Sequence, residues 1–308
     1  MTAQLQLRER ATLLADLRQI VQAMKNLALA ELQRLQRSQP ALAEAQTTLE
    51  AAWLELADPT ARPEGGGAED RIWLVIGAER GFCGAFNAHL ADAVSTLQAL
   101  PGQTLWLAGQ RLADAWLANR PAGTGQNPPR VLPGCGALDE AEPALAAWLQ
   151  AATEAVAGAT APQGGPRPAV WLLSTGPAGL RAQRLLPSPG APQPWSDAGA
   201  AAPTAMSVSW ASSPPPRQAP IRLGLPRPVL MAAVLHQTVR VQLRAALETS
   251  LVQENHARLA QMQRAQDHLD ELAAELRRRW ARLRQADITN ELELLTAALG
   301  PDAIPGRG

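Results

Sequence analysis

The residues best placed to do chemistry are Glu79-Arg80-Gly81-Phe82-Cys83-Gly84-Ala85-Phe86-Asn87, lying between an apolar run and a helix-forming stretch that starts near Ala88. A glycine-bearing loop at a helix start can hold phosphate on its backbone amides. The spacing here is neither GxGxxG nor GxxxxGK followed by Ser or Thr. The expectation is therefore a structural turn in which Gly81 and Gly84 supply unusual backbone angles. Cys83 would need a base to act as a nucleophile, and the nearest histidine in sequence is His89. With His236, His256 and His268 the only others, a buried, inert thiol is expected. His256 and His268 stand twelve residues apart, more than three helical turns, so they cannot share a metal within one chain. Cys83 and Cys135 are too few for a disulfide framework and point to a reducing compartment. No residue is assigned as catalytic, cofactor-binding or metal-ligating, and no cofactor is expected.

The totals limit the partners. Lys plus Arg and Asp plus Glu each number 28 in the 308 residues, so no net charge recruits nucleic acid or an anionic membrane. No stretch reaches 18 uninterrupted apolar residues, so any membrane role is expected to be indirect.

The elements that position the loop are set by where proline and glycine fall. Of the 26 prolines, 23 lie between Pro59 and Pro228, so the two ends of the chain are built differently from its middle. Val229 to Leu299 is 71 residues without Gly or Pro, rich in Ala, Leu, Arg, Gln and Glu, and reads as one helix. At 1.5 Å per residue it would reach roughly 105 Å, against a diameter of about 50 Å for a globule of this length. Such a helix is expected to project.

Near the N-terminus, Leu7, Leu14, Val21, Ala28, Leu35, Leu42, Leu49 and Leu56 recur every seven residues, with Leu17, Met24, Ala45 and Ala52 between them. That is a coiled-coil seam, and Pro40 predicts a kink or a break in it near Ser38. A second seam, Leu269, Leu276 and Leu283, with Leu259, Met262, Leu272 and Trp280 beside it, lies on the long C-terminal helix. Two seams in one chain predict that they pair.

The middle reads as a small α/β domain. Arg71–Gly77, Thr104–Gly109 and Pro168–Thr175 are short apolar runs suited to buried parallel strands joined by right-handed crossovers. From Pro187 to Pro228, proline density and weak periodicity predict an irregular linker, with one possible strand at Met206–Trp210. The cluster Arg277, Arg278, Arg279, Arg282 and Arg284 would by itself be a solvated helix face.

Three segments, in order, resemble the gamma subunit of F-type ATP synthases. Arg18-Gln19-Ile20-Val21-Gln22-Ala23-Met24 is similar to the family's Gln-Ile-Thr-Lys-Ala-Met run, and Glu79–Asn87 to its Asp-Arg-Gly-Leu-Cys-Gly-Gly-Leu-Asn loop. Ala281-Arg282-Leu283-Arg284-Gln285-Ala286-Asp287-Ile288-Thr289-Asn290-Glu291-Leu292 resembles its Ala-Arg-Gln-Ala-Ser-Ile-Thr-Gln-Glu-Leu signature. The sequence departs from the family after Met24, where Lys25-Asn26-Leu27-Ala28-Leu29-Ala30-Glu31 reverses the usual charge at both ends.

The resemblance implies an α/β fold with a long antiparallel coiled coil. The N-terminal helix (1–57) and C-terminal helix (229–300) would form a shaft, and a small central Rossmann-like α/β domain (58–228, with the Pro-rich linker at 187–228) its foot, leaving a tail at 301–308. It implies a rotor that turns inside a head of alternating alpha and beta subunits, above the epsilon subunit and the membrane c-ring. ATP and Mg²⁺ would be bound by those partners only, and the chain would sit peripherally at the cytoplasmic face of the cell membrane. By the same resemblance Met24, Arg284, Gln285 and Thr289 contact the beta subunit, and Gly81, Cys83 and Gly84 shape a structural loop. Leu292, Leu294, Leu295 and Leu299 would form an apolar bearing tip. Two rival readings come from the residues alone: a coiled-coil adaptor or chaperone, and a small nucleotide-binding enzyme built on the middle domain.

Overall fold

The computed structural model describes residues 2–56, 70–119, 128–158, 168–186, 193–194 and 224–299. The suggested strand at Met206–Trp210, most of the 187–228 linker and the tail at 301–308 lie outside the described residues. The chain divides into two compact units, one of residues 1–27 and 260–308 and the other of residues 28–259. Two long helices, α1 (Thr2–Leu56) and α5 (Arg227–Leu299), contribute to both.

In the larger unit the core is a six-stranded sheet in the order β3-β2-β1-β4-β5-β6. Its strands are β1 (Arg71–Ile76), β2 (Gln103–Ala108), β3 (Arg130–Leu132), β4 (Ala169–Gly176), β5 (Gly179–Leu186) and β6 (Gln193–Pro194). The first four are parallel, β5 adds antiparallel to β4, and β6 adds antiparallel to β5. The connections are α2 (Phe86–Gln98), α3 (Gln110–Asn119) and α4 (Ala141–Gly158), the last preceded by a short 3₁₀ turn at Leu138–Glu140.

Alternation along the strands divides the buried side chains between two faces. Trp73, Val75, Leu105 and Leu107 face Leu90, Val94 and Leu97 of α2 and Leu112 and Trp116 of α3. Ile72, Leu74, Trp106 and Leu172 face Leu145 and Trp148 of α4, and Leu35 of α1 with Leu243, Leu247 and Leu251 of α5 belong to the same cluster. The long helices thus serve as one of the layers that close this sheet. Where α1 and α5 meet in this unit they run antiparallel: the Ser38 hydroxyl donates to Glu248, and Arg227 donates to the Leu56 carbonyl.

Pro40 does not end α1, which continues unbroken to Leu56. The expected break is absent because Pro40 lies on the exposed side, while Leu35 before it and Leu56 beyond it are both buried. Packing on both sides outweighs the loss of one backbone donor. At the start of α5 the Pro226 carbonyl accepts from the amides of Val229 and Leu230, and Pro228 sits in the first turn, where a missing amide costs little.

The smaller unit holds residues 2–27 of α1 and 260–299 of α5. Arg18 pairs with Asp270 at 3.2 Å, and the Lys25 ammonium donates to Gln263 and Gln266, each at 2.7 Å. Position rises on α1 as it falls on α5, so the pairing is antiparallel. Between residues 5 and 20, Leu7 and Leu14 alone are half-buried, as the seven-residue seam requires, whereas Leu17 stays exposed. Met262, Leu269, Leu272, Leu276 and Trp280 supply the facing surface on α5.

Candidate functional site

Three groups of residues with functional expectations fall in different places. In the smaller unit, residues 281–297 of α5 are exposed throughout. Leu292, Leu294 and Leu295 are exposed apolar side chains, Leu294 by 71%. Of the Leu299 side chain nothing is described.

Arg284 holds its guanidinium over the Trp280 ring, 5.3 Å from the centroid, a cation–π contact that orients it without tying up its hydrogen-bond donors. Thr289 donates its hydroxyl to the Gln285 carbonyl at 2.9 Å, so these two share a face one turn apart. Lower on the unit, Arg10, Arg279 and Arg282 line a shallow groove with Gln6, Leu7 and Leu283, and Arg279 is paired with Glu275. Met24 is half-buried in the seam. It lies near the level of residue 265 by the observed register, hence about 30 Å along α5 from Arg284. Arg284, Gln285 and Thr289 are brought together; Met24 is not brought to them.

In the larger unit, the 79–87 loop follows β1 at the carboxyl edge of the sheet, beside the β1–β4 boundary where the strand order reverses. In open α/β sheets that edge is where ligands are held. Here the protein's own groups fill it. The Glu79 carboxylate accepts from the Gln110 amide at 2.9 Å, occupying the N-terminus of α3 where an anion would sit. At Gly109 (φ +117°) a Cβ would stand 2.7 Å from the Gly77 carbonyl oxygen, so the loops after β1 and β2 meet backbone to backbone. Arg80 pairs with Glu140, whose other oxygen accepts from the Gly136 amide.

Within the loop, Gly84 adopts a positive φ of 58°, but Gly81 does not, and a Cβ there would meet only Arg111 at 3.7 Å. The second left-handed position is Phe82, with φ 64° and a side chain 63% exposed. The expectation for Gly81 is thereby corrected. The turn is set one residue later, because the Phe86 amide closes on the Cys83 carbonyl and Arg258 of α5 holds the Gly81 carbonyl. Phe82→Gly should relieve this strain without losing packing. We expect a gain of about 0.5–1 kcal/mol, the left-handed cost less the added chain entropy; equal or lower stability in urea unfolding would contradict it.

Cys83 is buried, with the Asn87 amide 3.8 Å from its sulfur. Burial pushes its thiol up and the Glu254 carboxylate adds to the shift, outweighing Arg258 and Arg111. Burial likewise drives Cys135 up to about 12. Both remain protonated thiols at neutral pH, the unreactive form. Among the described residues no group of three or more His, Cys, Asp and Glu could hold a metal, and no helix is long and apolar enough to cross a membrane.

The family model for ATP synthase matches residues 4–156 and 179–298, most of the chain. The chain belongs to that family. Among solved structures, a chain of the Euglena gracilis mitochondrial ATP synthase, in a structure of its OSCP, F1 and c-ring, is similar with a TM-score of 0.57 at 15% identity. That match covers 99% of this chain and 98% of the other. A chain of the rotor of the same Euglena enzyme gives 0.54 at 14% identity, covering 93% and 99%. One from the central stalk and c-ring of the Tetrahymena thermophila mitochondrial enzyme gives 0.50 at 16%, covering 80% and 99%. At these identities the likeness speaks for the fold. No curated protein matches significantly.

For a member of the ATP synthase family, the part sequence reasoning missed is the charged pair Glu254 and Arg258, buried on α5 beside the 79–87 loop. The one available signal was their spacing of four, which puts both on one helical face. Nothing local marks that face as buried.

Proposed function

We infer that this chain is the central-stalk rotor subunit of an F-type ATP synthase, coupling rotation to ATP turnover in partner subunits. The observation that carries it is the family match across both long helices and the domain between them. It is supported by the antiparallel pairing of α1 with α5 and by the exposed α5 surface over residues 281–297. An exposed, mainly non-bonding apolar surface such as Leu292, Leu294 and Leu295 suits a bearing, since it forms no directional bonds that rotation would have to break. Leu299 is assigned to the same tip from sequence. Arg284, Gln285 and Thr289 offer polar groups on an accessible helix, suited to contacts made with one beta subunit at a time; Met24 is proposed as a further beta contact. Gly81, Cys83 and Gly84 keep a structural role.

The chain itself is proposed to be non-catalytic, with nucleotide and Mg²⁺ held by the alpha and beta subunits. Its other partners would be the epsilon subunit and the c-ring, and its location the cytoplasmic face of the cell membrane, held there through the complex. The nucleotide-binding reading is disfavoured by the filled carboxyl edge of the sheet. Co-expression with the head subunits tests the assignment. One copy of this chain should purify with three alpha and three beta subunits and raise coupled ATP turnover. A chain that remains apart from the head, or that clasps unrelated clients instead, would refute it and favour the adaptor reading.

A further inference from the structure

The short turn Leu138–Glu140 and the first residues of α4 gather bonds from several other parts of the larger unit. Glu31 of α1, a buried carboxylate, accepts from the Leu138 amide. The two Glu142 oxygens accept separately from Arg240 and Arg244 of α5. Arg244 also donates through Nε to one Glu248 oxygen at 2.9 Å, and the other Glu248 oxygen accepts from Ser38 of α1 at 2.6 Å. These bonds close a ring that runs from α1 to the start of α4, on to α5 and back to α1. Glu31 and Ser38 stand two helical turns apart, and Arg240, Arg244 and Glu248 follow one another at a spacing of four, so each long helix offers one face to the ring. Glu140, in the same turn, pairs with Arg80 and accepts from the Gly136 amide, which fixes the turn to the loop after β1 as well.

Two kinds of contact therefore hold α4, and the sheet beneath it, to the long helices. Leu145 and Trp148 pack in one apolar cluster with Leu35, Leu243, Leu247 and Leu251. Such packing opposes separation, but it is non-directional and resists sliding only through the fit of the side chains. The ring bonds are directional and mostly charge-assisted, so they weaken as soon as one element shifts past another. The side chains of Glu142 and Arg240 are exposed, and a pair of that kind adds little to folding stability. Its value lies in where it is anchored: Arg244 continues from it to Glu248, which is 1% exposed and bonded to the opposite helix.

We propose that residues 138–142 are the key that locks the sheet domain to both long helices against rotation, with Glu142 as the positioning residue that carries load from α4 to α5. The proposal rests on the central-stalk reading. In such a rotor, torque entering at the sheet domain must cross to α1 and α5 before it reaches the head. Unloaded ATP hydrolysis turns the long helices from the head and does not depend on that crossing. Weakening the key therefore has a one-sided effect.

Glu142→Lys places a third cation beside Arg240 and Arg244 and opens the ring on its α5 side. In the complete complex reconstituted into vesicles, ATP synthesis driven by an imposed ion gradient should fall about tenfold, the factor for losing one charge-assisted hydrogen bond. Unloaded hydrolysis by a head of alpha and beta subunits carrying the same chain should keep the wild-type rate, and thermal unfolding of the chain alone should barely move. Adding Arg240→Glu to Glu142→Lys restores opposite charges across the gap and should recover synthesis. Glu142→Gln keeps the shape without the charge; it should show the same one-sided loss more weakly, and it reads the key if the lysine variant does not fold. Unchanged synthesis in these variants, an equal loss in both directions, or a swapped pair as poor as Glu142→Lys alone overturns the proposal. A wild-type chain that does not assemble with the head overturns the central-stalk reading, whereas an active wild-type complex with indifferent variants removes only the key.

Discussion

Replacing Arg284 and Gln285 together by alanine should leave the chain folded and assembled but lower rotation-coupled ATP turnover about tenfold to a hundredfold. The range follows from losing one charge-assisted hydrogen bond of about 1.5–3 kcal/mol that forms in one rotary state and not in the others. Differential binding is the only kind that biases such an equilibrium, and exposed groups are the ones free to bind and release. Both residues are exposed, and the stacking of Arg284 on Trp280 holds the guanidinium out from the helix at little cost in side-chain entropy. An ordinary solvated arginine would give a change within about 0.5 kcal/mol and nearly normal turnover. Arg284→Lys separates charge from geometry, since lysine keeps the charge but loses the planar fork and most of the stacking. Steady-state ATP hydrolysis and synthesis in purified complexes of equal stoichiometry decide the matter. Wild-type rates in both directions for the double variant would remove these residues from the coupling.

The largest loss of stability is expected from Trp148→Ala. Trp148 is fully buried on α4, packed in the cluster that joins the sheet to α1 and α5, and its indole nitrogen donates to the Pro133 carbonyl at 2.8 Å. Truncation removes the ring and its hydrogen bond to Pro133 and leaves a cavity, for a cost of about 3–5 kcal/mol. The same cluster includes Leu243, Leu247 and Leu251, so the loss should loosen α5 as well as α4. Denaturant unfolding followed by far-ultraviolet circular dichroism gives the number. A shift under about 1 kcal/mol would mean that the cluster repacks around the gap.

Much of the framework was legible because it depends on local composition. The Gly- and Pro-free run predicted α5 to within two residues of its observed start at Arg227, and strong helix formers need no distant partner to show their preference. The seven-residue ladder on α1 matches the least exposed stripe of that helix, since periodicity reports which side must find cover. Strands β1, β2 and β4 were visible as buried apolar runs. Strand β5 was not: Gly-Leu-Arg-Ala-Gln-Arg-Leu-Leu is built from residues that favour helices, and pairing with β4 overrides that preference. The short β3 and the amphipathic α4 were passed over for a related reason, because three residues carry no period and α4 follows a Pro- and Gly-rich stretch.

The sequence by itself determined that this chain has two long helices with matching apolar seams around an α/β domain, and that its three motifs belong to one family. Each of those properties is written in neighbouring residues. Only the tertiary structure decided that Phe82 rather than Gly81 takes the left-handed turn, that Pro40 leaves its helix intact and that Glu254 and Arg258 are buried together. Those outcomes depend on which distant segment covers a given face. Arg258 reaches a loop 177 positions away, and burial raises the Glu254 carboxyl. Desolvation and packing act through space, so a linear reading could mark the spacing of the pair but not the burial that surrounds it.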